Sequence, residues 1–200
     1  MKNFYISLFI IFLGSVTAIQ SQEKKTDISG NLLSEKSSAG ISYSVGSADL
    51  FANSGIIGGP TYIGRGFNRI GLWLIRDLGR KTDIHFTASY TDNRFNINAP
   101  YTGTPVVSRP GSVKHYAVSV FARYHFFKYL YAGAGPVFGI SSGERDISGI
   151  GAGGNFGAEY AFSNGIVISF GPYGAIHGLL PAKTYKLINA GVSFSIGYKL

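Results

Sequence analysis

Two residues of opposite charge, Arg123 and Glu159, stand at matching distances from two short segments rich in turn-forming residues. Each lies in a stretch where apolar and polar residues alternate, which is the pattern of a strand with one wet face. Residues at equal distances from such turns reach the same depth in a sheet. Because a buried charge is costly unless it is paired, we predict that these two side chains form an ion pair.

Further ionisable residues extend this predicted pair. Asp77 and His85 flank a turn at 79–81, and Lys199 lies on the wet face of the last alternating segment. We predict an interior charge network made of Asp77, His85, Arg123, Glu159 and Lys199. It acts either as a structural filling or as a gate whose pairs rearrange to open a narrow water path.

The four histidines raise the question of a metal site. His85 and His125 are candidates for cross-strand neighbours, whereas His115 and His177 are expected near the opposite end. None stands in the spacing of a helical metal-binding pair, and two ligands are too few for a site. We therefore predict no metal and no other cofactor.

The segment 186–200 indicates which elements position these residues. Every second residue from Ile188 to Leu200 is apolar, and the residues between them are small or polar. This alternation is longer and more regular than in most strands of small soluble sheets. It is typical of a strand that crosses a bilayer with one face on lipid.

Seven other segments alternate in the same way, and no long segment has the period of a helix. The predicted strands are 40–47, 67–78, 82–91, 113–126, 130–140, 150–162, 166–177 and 186–200. Tight turns at 79–81, 127–129 and 163–165 alternate with longer loops, of which 49–66 and 92–112 are the longest. Asn164-Gly165 is a strong hairpin signal. This pattern predicts an all-β fold, an eight-stranded antiparallel up-and-down transmembrane β-barrel over 40–200.

The N-terminal region has the pattern of an export signal. Lys2 precedes a short apolar run that is followed by small residues, which predicts a signal peptide over 1–21 with cleavage near Ala18 or Ser21. The run is too short for a membrane anchor. Residues 22–39 form a short polar segment. The chain has no cysteine, which excludes a disulfide framework and a thiolate nucleophile.

These features together resemble the small outer-membrane β-barrels of Gram-negative bacteria, of the OmpA transmembrane-domain and OmpX types. The resemblance rests on the signal peptide, the eight strands, the alternating connections and the ending Phe194-x-Ile196-x-Tyr198-x-Leu200. It implies location in the outer membrane and insertion by the barrel-assembly machinery. Leu200 departs from the phenylalanine that is usual at that position. The resemblance is specific for architecture and not for activity.

In such a barrel the basic residues of the longer connections reach the outer rim. We predict that they contact the phosphates of lipopolysaccharide, since Arg and Lys form charge-assisted hydrogen bonds with phosphate. The predicted contacts are Arg65, Arg109, Lys114, Lys183 and Lys186. The alternative is a solvated rim. The formal charge of +8 fits anionic lipid better than nucleic acid, which an exported chain seldom meets.

Three functions follow from this interpretation. The first is a monomeric outer-membrane barrel with a structural, adhesive or narrow-pore role, whose loops 49–66 and 92–112 bind an extracellular ligand. The second is a lipid A-modifying enzyme, an acyl hydrolase or transferase. Lipid A deacylases carry a His-x-Ser-Asn run, whereas this chain has Ile-His-Gly-Leu at 176–179, and His177 with Ser141, Ser142 or Asp146 is the remaining arrangement. We expect no enzyme. The third is a soluble lipocalin-like ligand-binding barrel.

Overall fold

Eight antiparallel strands close into a barrel in the computed structural model, which describes residues 37–52, 60–79, 81–98, 108–143, 145–182 and 184–200. The strands are β1 (Ser37–Ala52), β2 (Thr61–Asp77), β3 (Thr82–Asn98), β4 (Ser108–His125), β5 (Leu130–Gly143), β6 (Gly149–Ala161), β7 (Ile166–Leu180) and β8 (Tyr185–Lys199). Each pairs with its neighbours in sequence, and β1 pairs with β8. The predicted fold class is confirmed. The predicted signal peptide and residues 22–36 lie outside the described residues.

The two ends of the barrel carry different connections. At the turn end, the connections 78–81, 126–129 and 162–165 are short, and β1 begins there. In the last of these turns Gly165 has a φ of 89°, and the Asn164 side chain accepts a hydrogen bond from the Ile166 N–H at 3.2 Å. At the loop end, the connections are 53–60, 99–107, 144–148 and 181–184. In an outer-membrane barrel the turn end faces the periplasm.

The predicted bounds of the two longest loops are wrong. β1 continues to Ala52 and β2 begins at Thr61, so residues of 49–66 belong largely to strands, and β3 and β4 likewise take up most of 92–112. A register shift between Gly64 and Gly66 breaks the period-2 pattern there. Above the bilayer, polar side chains are also tolerated on both faces of a strand, so alternation no longer marks where the strand ends.

The outer surface of the barrel is apolar. Ile41, Ile70 and Phe170 lie on the predicted outward face, and each is more than half exposed, at 54%, 57% and 57%. A water-soluble barrel would bury such side chains, so the lipocalin-like alternative is wrong. The described part of the chain contains no candidate for a membrane-spanning helix.

The lumen is packed with side chains. Trp73, the chain's sole tryptophan, is 2% exposed, and its indole N–H donates to the Ile41 carbonyl at 3.0 Å. It fits because Gly40 and Gly197 lack a side chain: a Cβ atom at either position would lie 2.6 or 2.4 Å from the indole ring. Interior packing of this kind is expected for eight strands, which leave room for side chains alone.

Candidate functional site

Arg123 on β4 is the centre of an ion cluster near the turn end of the lumen. Its Nε and Nη2 donate to the two carboxylate oxygens of Asp83 at 2.7 and 2.9 Å. Its Nη1 donates to Oε2 of Glu159 at 3.0 Å. Arg123 and Asp83 are almost fully buried, and Glu159 is mostly buried. A bidentate guanidinium–carboxylate pair is among the strongest hydrogen-bonded pairs in proteins.

His125 and Tyr131 complete the surroundings of this pair. The His125 Nε2 lies 2.6 Å from Oδ2 of Asp83. The Arg123 guanidinium lies over the ring of Tyr131, 4.4 Å from its centroid. We call Asp83, Arg123, His125 and Glu159 the ion cluster. The guanidinium binds both carboxylates, so each charged group of the pair has a partner of opposite sign, and the excess negative charge of two carboxylates over one guanidinium falls at the partly exposed Glu159. The cluster closes the lumen at this level.

The structure brings only part of the predicted charge network together. Arg123 and Glu159 meet, as described. Asp77 and Lys199 line a cavity of about 180 Å³ at the mouth of the turn end, together with Asp83 and Glu159, but no ion pair links them to the cluster in the described chain. His85 lies in the lumen against Trp73, with ring centroids 6.0 Å apart, and makes no ion pair among the described residues.

Asp83 is the residue that sequence reasoning missed. It is the second residue of β3, next to the turn, where an aspartate side chain is expected to be solvated. Its position two residues before His85 places both side chains on the same strand face. The register then pairs Asp83 with Arg123 on β4. Assigning His85 to the lumen therefore contained the signal that would have identified Asp83 as the partner.

The loop end of the lumen is closed by a different chemistry. A cluster of buried apolar residues lies here, and three of its members are fully buried: Val113, Ile147 and Leu187. We call this cluster the apolar plug; its members are Ala48, Leu50, Phe67, Phe95, Val113, Ala117, Phe121, Val137, Ile147, Tyr173, Ala175, Tyr185 and Leu187. The plug fills the upper lumen with side chains from seven of the eight strands and with Ile147, which lies between β5 and β6.

Residues of the 144–148 connection cap this plug. The Arg145 guanidinium lies over the rings of Tyr62 and Tyr185, at 5.5 and 4.5 Å from their centroids. The Ser141 hydroxyl accepts from the Ile147 N–H at 2.7 Å, and an Asp146 carboxylate oxygen accepts from the Ser148 N–H at 2.8 Å. These bonds hold Ile147 in its buried position over the mouth of the barrel.

A chain of polar side chains lies within the upper lumen. The rings of His115 and His177 touch edge to face, with centroids 4.2 Å apart. His177 Nε2 lies 3.1 Å from Oδ1 of Asn189, and the Asn189 amide donates to Oδ1 of Asn93 at 2.6 Å. Sequence reasoning placed these two histidines at the rim and did not foresee their contact. In the register, His115 is opposite Ser141, and His177 is opposite Leu187.

The residues considered for a metal site or a nucleophilic site have the following contacts. Within the described ranges, no group of three or more His, Cys, Asp or Glu residues is placed to hold a metal ion. Ser141 and Asp146 are engaged with each other and with backbone groups of 147–148. No hydrogen bond joins either of them to His177 in the described chain.

On the outer face, charged side chains follow directly above a pair of aromatic rings. Tyr90 and Tyr116 are register partners with ring centroids 5.1 Å apart. The next outward pair toward the loop end is Asp92 with Lys114, and Arg94 follows. The step between such pairs is about 6.6 Å along a strand. Since aromatic girdles mark the membrane interface, these charges lie at the level of the lipid headgroups.

These residues line a cleft of about 570 Å³ on the outer face of β2–β5. Arg65, Arg94 and Lys114 are its exposed cations, and Arg94 Nε is bound to Asp92 at 3.0 Å. We call Arg65, Asp92, Arg94 and Lys114 the outer basic cleft. Three cations and one carboxylate leave it with a net positive charge, and the described chain offers Arg65 and Lys114 no carboxylate within ion-pair distance.

The predicted phosphate-contact residues are thus divided. Arg65 and Lys114 lie in the outer basic cleft, while Arg94, which was not in the predicted set, lies between them. Lys186 is opposite Phe51 of β1, and β1 separates it from the cleft. Arg109 is exposed on β4 nearer the loop tip. Lys183 lies outside the described residues.

Comparison with solved structures gives the fold a context. The crystal structure of the outer membrane protein OprG from Pseudomonas aeruginosa matches with a TM-score of 0.51 at 13% identity, covering 83% of this chain and 95% of that one. The solid-state NMR structure of the outer membrane protein AlkL in lipid bilayers matches with a TM-score of 0.50 at 13% identity, covering 88% and 94%. Neither a protein-family model nor a curated protein sequence matches. The chain therefore has the fold and the apolar exterior of an integral outer-membrane barrel.

Proposed function

We propose that this chain is a closed outer-membrane barrel that acts through its outer surface, in a structural or adhesive role, rather than by conducting solutes or by catalysis. The observation that carries the proposal is the double closure of the lumen. The ion cluster fills it near the turn end, and the apolar plug fills it near the loop end. Insertion by the barrel-assembly machinery as a monomer belongs to the same proposal.

A narrow gated pore is the second candidate. It is favoured by the mouth cavity of about 180 Å³ that leads to Glu159, because rearrangement of a partly exposed carboxylate is the least costly way to open the cluster. The plug argues against it. Its side chains are uncharged and fully packed, so no single ion-pair rearrangement gives water a path through the barrel.

Single-channel recording of the refolded chain in planar bilayers separates the two candidates. We expect no discrete steps from the natural chain or from Glu159→Ala, since the plug stays in place. The double variant Ile147→Ala/Leu187→Ala keeps the ion cluster and is also expected to be silent. Combining it with Glu159→Ala opens space in both closures at once, and of the four chains this one is expected to conduct. Steps from the natural chain, or from Glu159→Ala alone, would establish the gated pore instead.

The surface role that we propose is contact of the outer basic cleft with lipopolysaccharide phosphates. Three features support it: net positive charge, a position directly above the aromatic pair, and a concave shape that admits a phosphate group. Guanidinium and ammonium groups bind phosphate through charge-assisted hydrogen bonds. Contact would tie β2, β3 and β4 to the lipid layer.

A charge-matched pair of triple variants tests this contact. The cleft variant is Arg65→Gln/Arg94→Gln/Lys114→Gln. The control, Arg76→Gln/Lys81→Gln/Lys128→Gln, removes the same charge at or next to the turn end. Thermal stability is measured in nanodiscs containing lipopolysaccharide or its dephosphorylated form. We expect the natural chain and the control to be more stable with phosphorylated lipid, by roughly 2–4 °C for each 1 kcal/mol of contact energy, and the cleft variant to lose this preference. Equal losses in the two variants would mean diffuse attraction without a site.

A further inference from the structure

Arg69 is a buried cation without a carboxylate partner. It lies on the inward face of β2, between Ser44 of β1 and Thr91 of β3 in the register, and it is 6% exposed. One face of its guanidinium lies 4.5 Å from the ring centroid of Tyr173. Among the described residues no hydrogen-bond acceptor meets its N–H groups. Arg123, by contrast, donates three hydrogen bonds to two carboxylates.

Such a group calls for a counter-charge. A guanidinium cannot lose its proton in a protein, so burial cannot neutralise it. An unpaired buried ion destabilises the folded state even after relaxation of its surroundings. Among the described residues, the lumen carboxylates Asp83 and Glu159 are both bound to Arg123. The ring of Tyr173 covers one face of the Arg69 guanidinium and leaves the N–H donors at its edge without an acceptor among the described residues.

A small enclosed space lies beside this edge. Arg69 lines a cavity of about 20 Å³ between the ion cluster and the apolar plug. Its other polar walls are formed mainly by hydroxyl-bearing and nitrogen-bearing side chains, among them Ser42, His85, Thr87, Asn155 and Ser193. The space holds one particle about the size of a water molecule. Phosphate, sulfate and organic anions are too large for it.

The lining is rich in groups that donate hydrogen bonds. A hydroxyl rotates to point its hydrogen at whatever occupies the space. His85 Nδ1 and Asn155 Oδ1, on two residues that line the space, are buried and have no hydrogen-bond partner among the described residues. When His85 is protonated at Nδ1, that N–H is a further donor for an anion, whereas Asn155 Oδ1 only accepts and does not help to hold one. A cation is repelled by Arg69. A small anion receives the guanidinium N–H groups and the hydroxyls together.

We propose that this chamber binds one small monovalent anion of the halide class, chloride under ordinary conditions, against Arg69. The site goes beyond the surface role proposed above and needs only the folded barrel. It gives Arg69 the partner that its position otherwise lacks. It also adds a third layer to the lumen: ion cluster, bound anion and apolar plug.

Bromide provides a direct test, because its anomalous scattering distinguishes it from water. Crystals of the full barrel grown in sodium bromide are expected to show one anomalous peak within hydrogen-bond distance of the Arg69 guanidinium. Arg69→Gln is expected to abolish the peak, whereas Arg65→Gln, on the outer face, is expected to retain it. A chamber that contains only water, with no anomalous peak in the natural chain, would overturn the proposal.

A solution measurement on the natural chain does not depend on the folding of any variant. Thermal stability is compared in sodium chloride and in sodium gluconate at equal ionic strength. Binding to the folded state alone predicts a gain in melting temperature that rises with the logarithm of the chloride concentration above the dissociation constant, of roughly 3–6 °C for a tenfold excess over that constant. Equal melting temperatures across the series would also overturn the anion site. The conductance experiment above is unaffected by either result, so the two proposals fail separately.

Discussion

The two ends of the lumen are closed by opposite means. Near the turn end, the closure is a cluster of ion pairs and directed hydrogen bonds among Arg123, Asp83 and Glu159. Near the loop end, Leu187, Ile147 and their neighbours close the space by shape alone. A charged closure is most sensitive to the loss of its buried members, because removing one leaves its partner buried and unpaired. An apolar closure loses stability in proportion to the volume removed.

The largest effect is expected where a charge loses its partner. Asp83→Asn removes one half of the bidentate pair and the contact with His125, and it should lower the free energy of unfolding by about 3–5 kcal/mol. Urea unfolding in lipid vesicles, followed by the fluorescence of Trp73, measures this. An effect below that of Glu159→Gln would mean that Asp83 is not the principal partner of Arg123.

Substitutions in the apolar plug should lower the free energy of unfolding almost as strongly, but in proportion to the volume removed. Leu187→Ala leaves a cavity in a fully buried site, and we expect a loss of about 2–5 kcal/mol. Leu187→Met keeps the volume and is expected to cost less than about 1.5 kcal/mol. Raising the salt concentration should leave both losses unchanged. A salt-dependent loss at Leu187 would contradict the division between the two ends.

A clash rather than a cavity tests how tightly the upper lumen is packed. A Cβ atom on Gly139 would lie 2.1 Å from Nε2 of His115. We expect Gly139→Ala to cost about 1–3 kcal/mol and the added substitution His115→Ala to recover part of that loss. Gly174→Ala is the matched control, since its nearest neighbour would be 3.8 Å away. A double-mutant cycle without coupling would show that His115 moves aside freely.

The smallest of these effects is expected at the outer member of the ion cluster. Glu159 is partly exposed, and Arg123 keeps its two bonds to Asp83 when Glu159 is changed. Glu159→Gln should therefore cost only about 1 kcal/mol, and high salt should reduce the difference between the two chains. The same vesicle unfolding assay measures it. A loss equal to that of Asp83→Asn would mean that the cluster is cooperative rather than graded.

The fold was predictable from the sequence because the bilayer enforces a strict period. Outward residues such as Ile41 and Phe194 must be apolar, and their alternation with small inward residues determines both the strands and the face that each residue takes. Distance from the turns was sufficient to bring Arg123 and Glu159 together. The loop-end bounds were not predictable, since the lipid constraint ends where strands rise above the bilayer.

The contacts inside the lumen depend on information that one strand does not carry. His115 and His177 come from β4 and β7, which are not neighbours in the sheet, so no pairing rule joins them. Asp83 and Arg123 lie on the neighbouring strands β3 and β4, so the pairing register of these two strands predicts their contact. The room for large side chains depends on the same information: Gly133 makes room for Arg123, whereas Gly135 lies against the backbone of Val120.

The strands of the barrel are unequal in length, and this has a consequence for how the molecule lies among its neighbours. β1 to β4 contain 16–18 residues, while β5 to β8 contain 13–15. The outer basic cleft is on the taller side. A cylinder of this kind has a front and a back in the plane of the membrane. Lipids and adjacent proteins therefore contact a different surface on each side of the barrel.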